Sequence, residues 1–141
     1  MKKIILVLIF FFGFISYTNA ETKRIISGNE SAKITIIAYE SLTCSHCADF
    51  HKLVYPQLKK EYIDTGLAKI EFRHFPLDIA AFNASKIAQC KEGQGLEILD
   101  SLYSNQLAWA KGGSIEEIND NLKKFVENKG FKIDFEKCIN D

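Results

Sequence analysis

The 141-residue chain predicts an α/β fold, a β-α-β unit followed by an all-helical region, and three observations carry that expectation. Ile34-Thr35-Ile36-Ile37-Ala38-Tyr39 is β-branched and almost continuously apolar, the pattern of a strand buried on both faces of a parallel sheet. From Ser45 the apolar positions Ala48, Phe50, Leu53, Val54, Leu58 and Tyr62 recur at helical spacing, and Ala68 to Phe72 then alternates as a second strand. Past Phe75-Pro76 no segment reads as a strand.

Taken in chain order, Lys23 to Ile26 is expected as a short edge strand, followed by a turn over Ser27-Gly28-Asn29-Glu30-Ser31. Ile34 to Tyr39 is expected at the centre of the sheet. The helix from Ser45 contains Pro56, which should kink it, and Gly66, which should end it. With Ala68 to Phe72, residues 34–72 make the β-α-β unit. Asp78 is placed to cap a helix reaching about Glu92, where Gly93 and Gly95 break it, and Leu96 to about Asn105 continues the pattern. Ser114-Ile115-Glu116-Glu117 is a capping box opening a helix that Gly130 closes, and Asp134 caps a last short helix carrying Cys138. There are no repeats, low-complexity tracts or linkers. Residues 76–141 should therefore pack on residues 21–75 within one domain.

A composition of 47% hydrophobic and 26% charged residues is that of a globular domain and excludes a disordered or collagen-like chain. Lys2 and Lys3 precede the apolar run Ile4 to Ile15, and Ser16-Tyr17-Thr18-Asn19-Ala20 follows. Residues 1–20 thus read as a signal peptide cleaved after Ala20, the apolar run being well short of the roughly 20 residues of a membrane span. Removing them leaves 16 basic against 18 acidic side chains, so no basic face is expected to bind nucleic acid. Export opens disulfide chemistry to Cys44, Cys47, Cys90 and Cys138, too few for a disulfide-scaffold miniprotein.

Cys44-Ser45-His46-Cys47 lies between a strand and the start of a helix. Unpaired N–H groups and the positive end of the helix dipole stabilise a thiolate there, lowering the first cysteine below the free pKa of about 8.5. Cys44 is accordingly the expected nucleophile. Cys47, one turn on and pointing inward, is the expected resolving thiol, and His46, if cationic or donating a hydrogen bond, adds stabilisation that makes the disulfide more oxidising.

The stretch Ile36 to His51, IIAYESLTCSHCADFH, with Phe72-Arg73-His74-Phe75-Pro76-Leu77-Asp78, resembles the DsbA-type periplasmic thiol-disulfide oxidoreductases, and the resemblance runs from about Ser27 to the chain's end. It implies a thioredoxin-like domain with a helical insertion at 76–141. It also implies donation of a disulfide by Cys44 and Cys47 to reduced or unfolded exported proteins in the periplasm, with reoxidation by a quinone-linked membrane partner. No cofactor is implied. The resemblance takes in Cys90 and Cys138, expected as a structural disulfide pinning the last short helix to the first helix of the insert; the alternative is two buried free thiols.

Departures from the family pattern qualify what carries over. Ser45 stands where family members often have proline, which leaves the first turn freer and adds a hydroxyl. Ala38 stands where many relatives keep a buried acid, while Glu40 sits four residues before Cys44 on the same strand face. Glu40 is therefore a candidate proton acceptor for Cys47, the alternative being a solvated strand end. The family's cis-proline and terminal ββ hairpin have no counterpart before Asp141, and Pro76, which leads into a helix, is not expected to substitute. The chain is thus expected to be truncated. Competing readings are a disulfide isomerase or reductase with the same cysteines, a Cu(I)- or Zn-binding module using Cys44, Cys47 and His51 or His74, and a fragment without function. His51 otherwise reads as a polar helix residue, His74 as a strand end and Trp109 as core.

Overall fold

The computed structural model describes residues 23–140, so the signal peptide expected at 1–20 lies outside the described residues. Strand β1 is Ile25–Ser27, β2 is Ile34–Glu40 and β3 is Ala68–His74, in the sheet order β1-β3-β2. β2 and β3 run parallel, with Ile34 opposite Ala68 and Glu40 opposite His74, while β1 pairs antiparallel with β3. The expectation that 34–39 is the central strand is corrected: β3 holds the middle, and β2 has one partner among the described residues. Its burial follows from that position. Ile36 and Ala38 pack on the core, whereas Ile37 and Tyr39, on the opposite face, are exposed. An apolar β-branched run specifies a strand but not how many of its faces are covered.

The helix after β2, α1, is built from four stretches, Ser45–Asp49, Phe50–Val54, Tyr55–Leu58 and Lys59–Ile63, the second and fourth of π type. Pro56, where a kink is expected, lies in the third stretch directly after the first π turn. Proline has no N–H for the carbonyl four residues back and its ring crowds that carbonyl, so a wider turn just ahead of it relieves both. Gly66, at φ +76°, follows the helix. Gly28, at φ +104°, makes the tight turn after β1: a Cβ there would meet Ile63 Cγ2 at 2.7 Å and the Ala68 carbonyl oxygen at 3.1 Å.

The remaining elements are helical: α2 Ile79–Cys90, α3 Gly95–Ser104, α4 Gln106–Trp109, α5 Ile115–Asn128 and α6 Phe135–Asn140. Asp78 caps α2, its Oδ1 accepting from the Ala81 N–H at 2.7 Å. Gly95 opens α3 rather than breaking a helix; a side chain there would press on Ile25 and the Ala88 carbonyl, so the glycine lets α3 approach β1 and α2. Ser114 Oγ accepts from the Glu117 N–H, but the Glu117 carboxylate accepts in return from Gly113, one residue before the expected partner. Asp134 Oδ1 accepts from the Lys137 N–H at the start of α6.

One core joins the β-α-β unit to these helices. Ile70 of β3, Ile87 of α2, Leu102 of α3, Trp109 of α4 and Leu122 of α5 are fully enclosed, and the Trp109 indole N–H donates to the Leu102 carbonyl at 2.9 Å. Cys90, the last residue of α2, is joined by a disulfide to Cys138 of α6, with Cα atoms 5.7 Å apart.

Candidate active site

Cys44 is the N-cap of α1, in extended conformation with φ −76° and ψ 120°, and both Cys44 and Cys47 are free thiols at partly exposed positions. The Cys47 backbone N–H, then the Cys47 thiol, hydrogen-bond the Cys44 sulfur and lower its pKa; the His46 N–H adds to this, against opposition from burial and the charge of Glu40. The His46 contribution thus comes from the backbone, and the residue itself is exposed. Cys47 is shifted the other way: burial against the core raises its pKa, and the charges of Cys44 and Glu40 add to the effect. One turn of helix therefore holds two thiols of opposite disposition, the outer one shifted toward its thiolate and the inner one toward its protonated form.

The loop presenting Cys44 is tied to both halves of the fold. The Gln106 side-chain amide donates to the carbonyl oxygens of Leu42 and Cys44 at 2.8 and 3.0 Å, anchoring the loop to α4. Thr43 Oγ1 donates to Asp78 Oδ2 at 2.7 Å, the Leu77 N–H donates to Ser41 Oγ, and the Phe75 N–H donates to the Glu40 carbonyl at 2.7 Å. These bonds hold the N-terminus of α1 in one orientation without a side-chain cap on Cys44 itself.

Glu40 is buried rather than a solvated strand end, and its Oε2 lies 2.8 Å from His51 Nε2. His51 Nδ1 lies 3.3 Å from Asp100 Oδ1, an ion-pair separation without hydrogen-bond alignment. The expectation of His51 as an ordinary polar helix residue is therefore corrected. Its imidazole stacks on Tyr103 with ring centroids 4.0 Å apart and also meets Phe72, Tyr55 and Phe50. Burial in this aromatic box would lower its pKa, but the close approach of Asp100, the hydrogen bond to Glu40 and the charges of both carboxylates outweigh burial and raise it. His74, opposite Glu40 across the β2–β3 ladder, is pushed down to about 4 by burial alone. The two histidines do not converge on the cysteines as a ligand set, and among the described residues no group of three or more His, Cys, Asp or Glu side chains is arranged to hold a metal ion.

Two grooves flank the motif. One of about 430 Å³ runs between the start of α1 and residues 103–108, lined by Ser45, Ala48, Lys52, Tyr103, Gln106 and the exposed Leu107. The other, of about 350 Å³, lies between Thr43, Asp78, Ile79 and the start of α5. Leu107 and Ile79 are exposed apolar side chains at the rims of these grooves. All peptide bonds among the described residues are trans, including that of Pro76.

Gln106, Asp100 and Tyr103 escape the sequence reading, which offers His51 only as a polar helix residue or a metal ligand. His51 alone carried a local signal, standing four residues after Cys47 and so on the same side of a helix.

A family model described as Thioredoxin matches residues 20–141. Over 120 residues the chain is 30% identical to a "Putative protein-disulfide oxidoreductase" of Rickettsia bellii, an alignment covering 82% of this chain and 45% of that protein. It is 28% identical over 119 residues to a "Probable disulfide bond formation protein D" of Bacillus cereus, covering 81% of this chain and 54% of the relative. The crystal structure of Wolbachia pipientis alpha-DsbA1 superposes with a TM-score of 0.76 at 33% identity, covering 86% of this chain and 61% of that one. The chain spans about half the length of these curated relatives.

Proposed function

The chain belongs to the thioredoxin family, and on that premise we propose that it is a thiol-disulfide oxidoreductase of the DsbA type, donating a disulfide held by Cys44 and Cys47 to reduced exported proteins. The observation that carries this reading is the opposed disposition of the two thiols on the first turn of α1. In the oxidised form a substrate thiolate attacks the Cys44 sulfur, the Cys44–Cys47 bond breaks, and Cys47 leaves as a thiolate that takes up a proton. A second substrate thiolate then attacks the substrate sulfur of the mixed disulfide and expels Cys44 as a thiolate. The substrate loses two electrons and the cysteine pair gains them. Because the expelled Cys44 thiolate is stabilised at the helix start, the reduced form is favoured and the disulfide is oxidising.

The names of the relatives and the solved DsbA neighbour support this reading over isomerisation or metal binding. In this reading residues 1–20 direct export to the periplasm, and a quinone-linked membrane oxidase renews the disulfide. The test is oxidation of a reduced two-cysteine peptide by the disulfide form of the protein, together with its reduction potential against glutathione. Stoichiometric oxidation of the peptide and a potential above that of the glutathione couple are expected; failure to oxidise it, or a potential in the range of a reductase, overturns the proposal.

A further inference from the structure

The chemistry above leaves one transfer unexplained: Cys47 must lose a proton each time the disulfide closes and regain it each time the disulfide opens, yet its thiol is the more buried of the pair. From the geometry around it we propose that Glu40, His51 and Asp100 form a relay that carries this proton between Cys47 and solvent, an assignment that rests on the oxidoreductase reading. Glu40 ends β2 beneath the cysteine loop, close enough for its charge to oppose ionisation of both Cys44 and Cys47. His51 follows Cys47 by four residues on α1 and bridges inward from Glu40, 2.8 Å from its Nε2, to Asp100, 3.3 Å from its Nδ1. The relay then reaches water. The Glu40 and His51 side chains are 8% and 3% exposed, whereas that of Asp100, on α3, is 43% exposed while its Oδ1 is buried toward the imidazole.

The other titratable groups facing His51 are the Tyr103 hydroxyl of α3 and the Tyr55 hydroxyl of α1, and burial raises the pKa of both. They hold their protons, so the carboxylates are the exchanging partners. The Tyr55 and Tyr103 hydroxyls, His51 Nδ1 and Asp100 Oδ1 are also buried polar atoms without a hydrogen-bond partner.

The steps balance as follows. On closure, Cys47 gives its proton to Glu40, and as that charge is quenched the His51 ring, hydrogen-bonded to Glu40 through Nε2, releases its Nδ1 proton to Asp100 and water; the Cys47 thiolate attacks the Cys44 sulfur of the mixed disulfide and expels the thiolate of the oxidising partner. On opening, a substrate thiolate takes the Cys44 sulfur, Glu40 gives its proton to the expelled Cys47 thiolate, and water through Asp100 returns one to His51 Nδ1. The two half-reactions run the relay in opposite directions, and the second restores the charges on Glu40 and His51 that the first quenched.

The test isolates closure. Cys44 of the dithiol protein is loaded with 5,5′-dithiobis(2-nitrobenzoic acid), and release of the second thionitrobenzoate, as Cys47 attacks Cys44, is followed against pH. Asp100→Asn and His51→Gln are expected to slow closure by about tenfold or more at neutral pH, with the profile moved to higher pH. Added imidazole should accelerate Asp100→Asn and not the parent, at unchanged melting temperature. The half-exposed Asp100 decides the matter should His51→Gln fail to fold. An Asp100→Asn protein that closes at the parental rate across the pH range overturns the relay, as does one slowed without a moved profile or imidazole rescue. A parent protein that closes normally yet oxidises no peptide overturns the proposed function and leaves the relay standing.

Discussion

Gln106 holds Cys44 by its backbone: the side-chain amide of the first residue of α4 donates to the Cys44 carbonyl at 3.0 Å and to that of Leu42 at 2.8 Å, across more than sixty residues of sequence. The helical region therefore fixes the conformation of the nucleophile's turn. Gln106→Leu removes both donors while keeping the bulk, so stability should fall by about 1–3 kcal/mol as two carbonyls lose their partner. Cys44 alkylation should slow several-fold as the turn loosens. Thermal melts and iodoacetamide kinetics check both, and a variant unchanged in each would show that the clamp positions nothing.

The two thiols should separate cleanly by mutation. Cys44→Ser is expected to abolish peptide oxidation, and Cys47→Ser to accumulate mixed disulfides, because the attacked sulfur remains while the resolving one is gone. Alkylation in mildly acidic buffer, read by peptide mass spectrometry, should label Cys44 first, as its lowered pKa requires. Preferential labelling of Cys47 would reverse the assignment.

Replacing Cys90 and Cys138 together by alanine should destabilise the fold without touching the redox pair. For a sequence separation of 48 the chain-entropy model gives about 4 kcal/mol. Denaturant melts should show the loss, and the reduction potential of Cys44–Cys47 should stay at the parental value. A shift in that potential would mean that the two disulfides communicate.

His51 and His74 should shape the stability profile from opposite sides. His51 binds its proton more tightly folded than unfolded, so its contribution is complete below about 6.5 and is lost as pH rises through its folded pKa. His74, depressed to about 4, is the reverse: its contribution is complete above 6.5 and is lost as pH falls toward 4, by at most about 3 kcal/mol. His74→Leu should flatten the acid limb of melting temperature against pH, and His51→Gln the alkaline limb. Parallel curves for parent and variants would remove both assignments.

The strands and main helices are legible in the sequence because apolar periodicity at 34–39, 48–62 and 68–72 is a local property. The order of the strands is not, since β3 became central through its pairing with β1, a contact between distant segments. The same division runs through the site. Cys44 and Cys47 announce themselves by spacing, and Glu40 by sharing an inward face with Ile36 and Ala38. Asp100 and Gln106 carry no mark of their own; one becomes the outer end of a charge chain and the other a clamp only when α3 and α4 fold back against α1.

The bond between Cys90 and Cys138 also makes a closed covalent ring of residues 90–138, and the whole polypeptide path from α2 to α6 lies on its circumference. A protease that cuts the turns at 91–94 or 110–113 opens the ring without dividing the molecule. Gln106 and Asp100 stay tethered to the cysteine turn, so as long as the disulfide holds a single cleavage is a scar rather than a loss.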